Sequence, residues 1–146
     1  MLRGMPTPVA SVTDPAVTPL TILVVDDAPD MRFLARAVLE RAGIEVVAEA
    51  TDGHEALEAF HSLDPPPVPT VIVLDNMMPG LTGLEAAKDM LATFPDQLIV
   101  LFSAFLSPEI EAEAAELGIA ACVSKIDVTR LPEIVRRLAE TRPLAG

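Results

Sequence analysis

Two carboxylates, Asp26 and Asp27, follow directly on the apolar run Ile22-Leu23-Val24-Val25, and a third, Asp75, follows Val71-Ile72-Val73-Leu74. Acids placed where buried strands end can gather at one edge of a parallel sheet, where they form a hard, oxygen-rich pocket for a divalent cation. Ser103 comes after a third apolar run and Lys125 after a fourth. A hydroxyl and an ammonium beside such a pocket would complete a site for phosphoryl chemistry. Each residue alone has a plainer use: Asp27 or Asp30 as a helix N-cap, Asp75 as a loop cap, Ser103 in a turn, Lys125 as a solvated charge. The joint placement at strand ends is what carries the reading of a site. His54 and His61 lack a Cys or His partner at ligand spacing and read as surface helix residues rather than zinc ligands.

The elements that must position these groups alternate in kind. Strands are expected at 21–25, 44–50, 71–74, 97–102 and 119–123, each a near-continuous apolar run. Helices are expected at 29–42, with Met31, Leu34, Ala35, Val38 and Leu39 on one face, and at 53–62, with Leu57 and Phe60 inward. Further helices are expected at 82–93, with Leu84, Ala87, Leu91 and Phe94 inward, at 108–117, with Ser107 as N-cap, and at 129–140, with Leu131, Ile134, Val135 and Leu138 inward. Such alternation predicts an α/β fold: a doubly wound, five-stranded parallel sheet of flavodoxin-like order 2-1-3-4-5, (βα)5. In that order the first strand lies between the second and third, so Asp26, Asp27 and Asp75 converge. Residues 1–19, rich in Pro, Thr, Val and Ala, read as a disordered leader, 20–141 as the folded domain and 142–146 as a tail. The proline-rich segment 64–69 reads as a stiff, extended loop.

Composition narrows the function classes. A net charge of -12 over 146 residues argues against direct nucleic-acid binding, and no apolar stretch is long enough for membrane insertion. Cys122 is the only cysteine, which excludes an internal disulfide and suits a reducing, cytoplasmic setting. With no Trp or Tyr, base- or flavin-stacking would fall to a few Phe residues.

Asp26-Asp27, Asp75 within Asp75-Asn76-Met77-Met78-Pro79-Gly80, the following Gly83, Ser103-Ala104 and Lys125 stand in an order and spacing that resemble the receiver domain of two-component response regulators. The likeness is to the stand-alone, chemotaxis-regulator type and covers residues 21–140. It implies a signalling module rather than an enzyme, with Asp75 accepting a phosphoryl group as an aspartyl phosphate. It implies Mg²⁺, or Mn²⁺ in its place, held by Asp26, Asp27, Asp75 and the Met77 backbone carbonyl. Ser103 and Lys125 would bind the phosphoryl group, and Met77, Ala104, Phe105 and Cys122 would modulate the response. A sensor histidine kinase or phosphotransfer protein would meet Met31, Leu34 and Ala35 together with Ile126 and Asp127. A downstream protein, or a second copy in a homodimer, would meet the 108–140 face. There, acids of the 108–117 helix and Arg130, Arg136 and Arg137 could pair across subunits.

The chain departs from the family pattern in three places. Cys122 stands where an aromatic residue is usual, which shifts the expected switch to the loop 103–107 and Phe105, or leaves Cys122 as a packed core residue. Ile126 replaces the usual proline after the lysine, so a trans bond and an altered loop are expected before the last helix. Met77 and Phe105, two past Asp75 and two past Ser103, offer an incoming water no hydrogen bond, so slow dephosphorylation is expected. The alternatives are a degenerate receiver acting as a phosphorylation-independent interaction module, or a receiver cut from a longer regulator. A flavodoxin-like electron carrier is disfavoured because Asp26-Asp27-Ala28-Pro29-Asp30 would repel phosphate without a metal. A haloacid-dehalogenase-type phosphatase is disfavoured because Met77 stands where a second Asp is needed.

Overall fold

The computed structural model describes residues 20–62 and 70–141; the expected leader, the proline-rich loop and the tail lie outside them. Five parallel strands, β1 (Thr21–Val25), β2 (Glu45–Ala50), β3 (Val71–Leu74), β4 (Leu98–Ser103) and β5 (Ala121–Ser124), form one sheet in the order β2-β1-β3-β4-β5. Between and after them run α1 (Pro29–Arg41), α2 (Gly53–Ser62), α3 (Gly83–Thr93), α4 (Pro108–Leu117) and α5 (Leu131–Thr141). The flavodoxin-like order read from the sequence is therefore the observed one.

Side chains alternate across each strand and fill two cores. Leu23, Val25, Ile72, Leu74, Ile99 and Leu101 face α2, α3 and α4, meeting Phe60, Met90, Leu91 and Ala114. Ile22, Val24, Val71, Val73, Val100 and Phe102 face α1 and α5, meeting Ala35, Leu39, Leu131 and Val135. Burial on both faces is why β1, β3 and β4 read as apolar runs, each such side chain contributing about 1.5–3 kcal/mol. Gly118 ends α4 in the left-handed region, with φ of 97°, where a side chain would be strained.

Several local expectations need correction. Of the apolar face of α1 only Ala35 and Leu39 are buried; Leu34 is 40% exposed and Phe33 74%. Ala35, at 1% exposure, packs in the core and cannot meet a partner surface, so its assignment to a kinase-facing patch is withdrawn. Phe94 lies just beyond α3, 45% exposed, with its ring edge-on to Phe60 at 5.5 Å. The last helix starts at Leu131 rather than 129, because a 3-10 turn, Lys125–Arg130, with Asp127 off helical geometry, fills the preceding loop. β5 is set later than expected, because Ile119 and Ala120 are used in closing α4 and joining β4: Ile119 N–H bonds the Ala114 carbonyl and Ala120 N–H the Ile99 carbonyl.

Candidate functional site

Register brings the marked residues together. Val25 pairs with Ala50 on one side and Leu74 on the other, so the residues after β1 and β3 emerge side by side. Asp75 N–H donates to the Val25 carbonyl at 2.9 Å and Asp26 N–H to the Ala50 carbonyl at 3.1 Å, extending both ladders by one bond. Ser103 pairs with Ser124 at the ends of β4 and β5, which delivers Lys125 to the same edge.

Neither Asp27 nor Asp30 is used as a helix cap. The N-cap of α1 is Ala28, with no side-chain cap bond, while Asp26 Oδ1 accepts from Ala28 N–H at 2.9 Å. Asp26 and Asp75 are 2% exposed and Asp27 is exposed at the mouth. One carboxylate oxygen from each of the three lies within 4.8 Å of the others, and this is the one such group among the described residues. Lys125 Nζ stands 2.7 Å from Asp26 Oδ2 and 3.4 Å from Asp75 Oδ2. Lys125 is the partner that reaches the buried Asp26 Oδ2, and it does so as an ion pair. Three close carboxylates sharing one ammonium suit a hard divalent cation, and the donor set fits one.

The electrostatics are under tension. Burial pushes the Asp75 carboxyl up to about 6, the neighbouring Asp26 charge adds to this, and Lys125 and the Met77 N–H oppose it. One lysine does not offset the crowding of the acids.

Asn76 and Gly83 stand in the motif read from the sequence, but the bonds by which they and Thr82 shape the loop after β3 were not anticipated there. Asn76 is buried, its carbonyl accepting from Gly83 N–H at 3.1 Å and its Oδ1 from Leu84 N–H at 3.0 Å. Thr82 takes the next two amides of α3, Glu85 N–H through Oγ1 and Ala86 N–H through its carbonyl. Glu85 Oε1 accepts from Thr82 N–H at 2.9 Å in return, so the orphan donors of that first turn, those of residues 82–85, are filled. The signal was present in the Thr82-to-Glu85 capping-box spacing; Asn76 gave none, because its partner lies eight residues on. Gly83 allows the close approach, since a Cβ there would lie 2.3 Å from the Asp75 carbonyl oxygen.

Ser103 is fully buried, and its hydroxyl is engaged by its own loop, accepting from Phe105 N–H at 3.3 Å and facing the Phe105 carbonyl at 3.4 Å. Ala104 is exposed. Met77 (57% exposed), Phe105 (69%) and Ile126 (88%) put apolar side chains on the loops after β3, β4 and β5. Cys122 is half-buried against the α2–α4 core, its thiol pushed up by burial and then by Glu111. Met31 is half-buried and Asp127 partly exposed. His54 is exposed, and His61, also exposed, lies 3.4 Å from Asp89, away from the acids.

Comparison with known proteins agrees with this geometry. Residues 22–136 match the family described as the response regulator receiver domain. A chemotaxis protein CheY of Thermotoga maritima is 34% identical over 97 residues, covering 66% of this chain and 78% of the relative. A protein-glutamate methylesterase/protein-glutamine glutaminase of Myxococcus xanthus is 36% identical over 136 residues, covering 89% of this chain but 38% of that longer protein. The solved signal receiver domain of NarL from Mycobacterium tuberculosis superposes with a TM-score of 0.76 at 29% identity, over 86% of this chain and all of that one. The fold, the strand-end acids and the family match converge, and the chain belongs to the response regulator receiver domains.

Proposed function

We propose that this receiver accepts a phosphoryl group on Asp75 from a histidine kinase or phosphotransfer protein and signals through altered protein contacts. The observation that carries the reading is the convergence of Asp26, Asp27 and Asp75 with Lys125 at one sheet edge. In the reaction an Asp75 oxygen attacks phosphorus, an acyl–phosphate bond forms, and the donor's phosphorus–nitrogen bond breaks, its electron pair leaving with the imidazole. Lys125 pairs with the phosphoryl oxygens, and the Met77 N–H, 3.3 Å from Asp75 Oδ1, helps hold the nucleophile in place. Asp26, Asp27, Asp75 and the Met77 carbonyl would hold Mg²⁺ or Mn²⁺, which would supply charge neutralisation between the acids and the incoming dianion. Ser103 turns from the Phe105 backbone to a phosphoryl oxygen, and the loop 103–107 is the element this rearranges.

The donor protein meets Met31, Leu34, Ile126 and Asp127, with Phe33 replacing the buried Ala35 on that surface. The 108–140 face meets the downstream protein or a second copy, and Met77 and Phe105 slow hydrolysis of the acyl phosphate. We read residues 20–141 as the receiver domain, in a cytoplasmic setting; no described helix is long and apolar enough to cross a membrane.

Calorimetric titration with beryllofluoride, a phosphoryl mimic, tests the site. Saturable binding that requires Mg²⁺ and disappears in Asp75→Asn is expected. No binding by the unaltered chain would instead indicate a receiver that acts as a phosphorylation-independent interaction module.

A further inference from the structure

The turn that carries Asp26 and Asp27 lacks the anchor that usually fixes the start of a helix. Its N-cap residue, Ala28, has no side chain to bond the first turn of α1. Asp26 Oδ1 bonds Ala28 N–H inside the turn itself, which ties the turn to nothing else. Besides the Lys125 ion pair to the Asp26 carboxylate and the helical bond from Arg32 N–H to the Ala28 carbonyl, two bonds fasten the Asp26 backbone to its surroundings. Asp26 N–H bonds the Ala50 carbonyl at 3.1 Å, and the Asp26 carbonyl accepts from Arg32 Nη1 at 2.8 Å.

Arg32 is held in turn. Its Nε pairs with Glu49 Oε1 at 3.1 Å, with side-chain exposures of 19% for Arg32 and 28% for Glu49. The other oxygen of Glu49 pairs with Arg36, whose Nε also reaches Glu40 at 3.0 Å. Glu49 and Ala50 are consecutive on β2, so the N–H and the carbonyl of Asp26 are fastened to adjacent residues of one strand, the second through a guanidinium. A planar fork can bond a carbonyl and a carboxylate at once in fixed geometry; an ammonium holds neither the plane nor the spacing.

We propose that Arg32 is a positioning residue for the acid pair: by bridging the Asp26 carbonyl to Glu49 it fixes the Asp26–Ala28 turn and thereby sets the affinity of the site for a divalent cation. This rests on the reading of the site under Proposed function. Electrostatics alone points the other way, because removing a positive charge beside carboxylates would strengthen cation binding.

The two accounts separate by calorimetric titration of the full chain with Mg²⁺. Arg32→Gln is expected to weaken Mg²⁺ binding about tenfold, the scale of outer-shell substitutions at metal sites, although a cationic charge is lost. Arg32→Lys, which keeps the charge, is expected to weaken it as well. Arg36→Gln, removing an equal charge from the same helix, should leave the affinity within about twofold. Glu49→Asp keeps the charge and leaves residue 32 intact but shortens the arm by one methylene, drawing it away from Arg32; it serves if Arg32→Gln fails to fold and is expected to weaken binding about threefold, less than a full outer-shell loss. Unchanged or tighter binding in Arg32→Gln, or in Glu49→Asp where that variant stands in, overturns the proposal, even if the melting temperature falls. Absence of Mg²⁺ binding in the unaltered chain overturns the reading of the site and this inference with it; normal binding there with an unshifted variant overturns this inference alone.

Discussion

At the N-terminal end of the sheet, Thr21 and Thr70 each donate a backbone N–H to the other's hydroxyl at 3.2 Å, and Gln97 Nε2 reaches the Thr70 carbonyl at 3.3 Å. At the C-terminal end of the same strands, Asp26, Asp75 and Lys125 are buried or nearly so, both acids share the one ammonium, and the Asp75 carboxyl is pushed up to about 6. One end buries neutral groups that satisfy each other. The other buries like charges that one lysine cannot balance, and that unspent attraction is available to a cation, whose charge would let an anionic phosphoryl group approach. The difference teaches where to look for function in a fold of this kind: at the end whose polar groups are buried without enough partners.

Changes at the carboxylate end should have the larger effects. Gly83→Val would put a branched side chain against the Asp75 carbonyl, 2.3 Å from the ideal Cβ position, and should destabilise the fold by about 3 kcal/mol in urea unfolding. A destabilisation no larger than that of an exposed-site change would show that the β3–α3 approach is looser than described.

The Asp75 carboxyl gives the next effect, and its sign is fixed. Its folded pKa of about 6 lies above its ordinary value of 3.8, so between those pH values the native state holds the proton that the unfolded chain has lost. Stability therefore falls as pH rises from about 4 to 6 and levels off above, the total from this group being at most about 3 kcal/mol. Measured in EDTA, Asp75→Asn should be the more stable protein at pH 7.5, and should lose most of that advantage at pH 4. An advantage that persists undiminished at pH 4 would point to a cause other than the carboxylate charge.

If Met77 and Phe105 shield the acyl phosphate, the double variant Met77→Asn, Phe105→Glu should dephosphorylate about tenfold faster, equivalent to ~1.4 kcal/mol of barrier. Equal phosphate lifetimes would remove the shielding role. The smallest change belongs to the opposite end: Thr70→Val, which deprives Thr21 N–H of its hydroxyl acceptor, should cost about 1 kcal/mol without altering Mg²⁺ affinity.

The sheet order and the carboxylate cluster were legible in the sequence because they follow from local facts: apolar runs long enough for buried strands, each ended by a polar residue of a particular type. Face assignments were less so. The five apolar residues of α1 span more of the helix than the core accepts, and only Ala35 and Leu39 are enclosed, which leaves Leu34 outside. The 3-10 turn after Lys125 has no periodic signal to announce it, and Thr129 reads equally well as the start of a helix. The roles of Arg32, Glu49 and Asn76, the last named only as part of the motif, were missed for a different reason. Arg32 meets Glu49 across two elements and 17 residues, and Asn76 acts through a buried amide of the next helix, contacts that no single-chain spacing encodes.

The central claim is that the strained acidic end of the sheet accepts a phosphoryl group on Asp75. Its most direct test is intact-mass measurement of the full chain after incubation with Mg²⁺ and acetyl phosphate, alongside Asp75→Asn and a sample in EDTA. A single added phosphoryl group in the unaltered chain, missing from both controls, is the predicted result. An adduct of the same mass on Asp75→Asn, or one that forms equally well in EDTA, would contradict it.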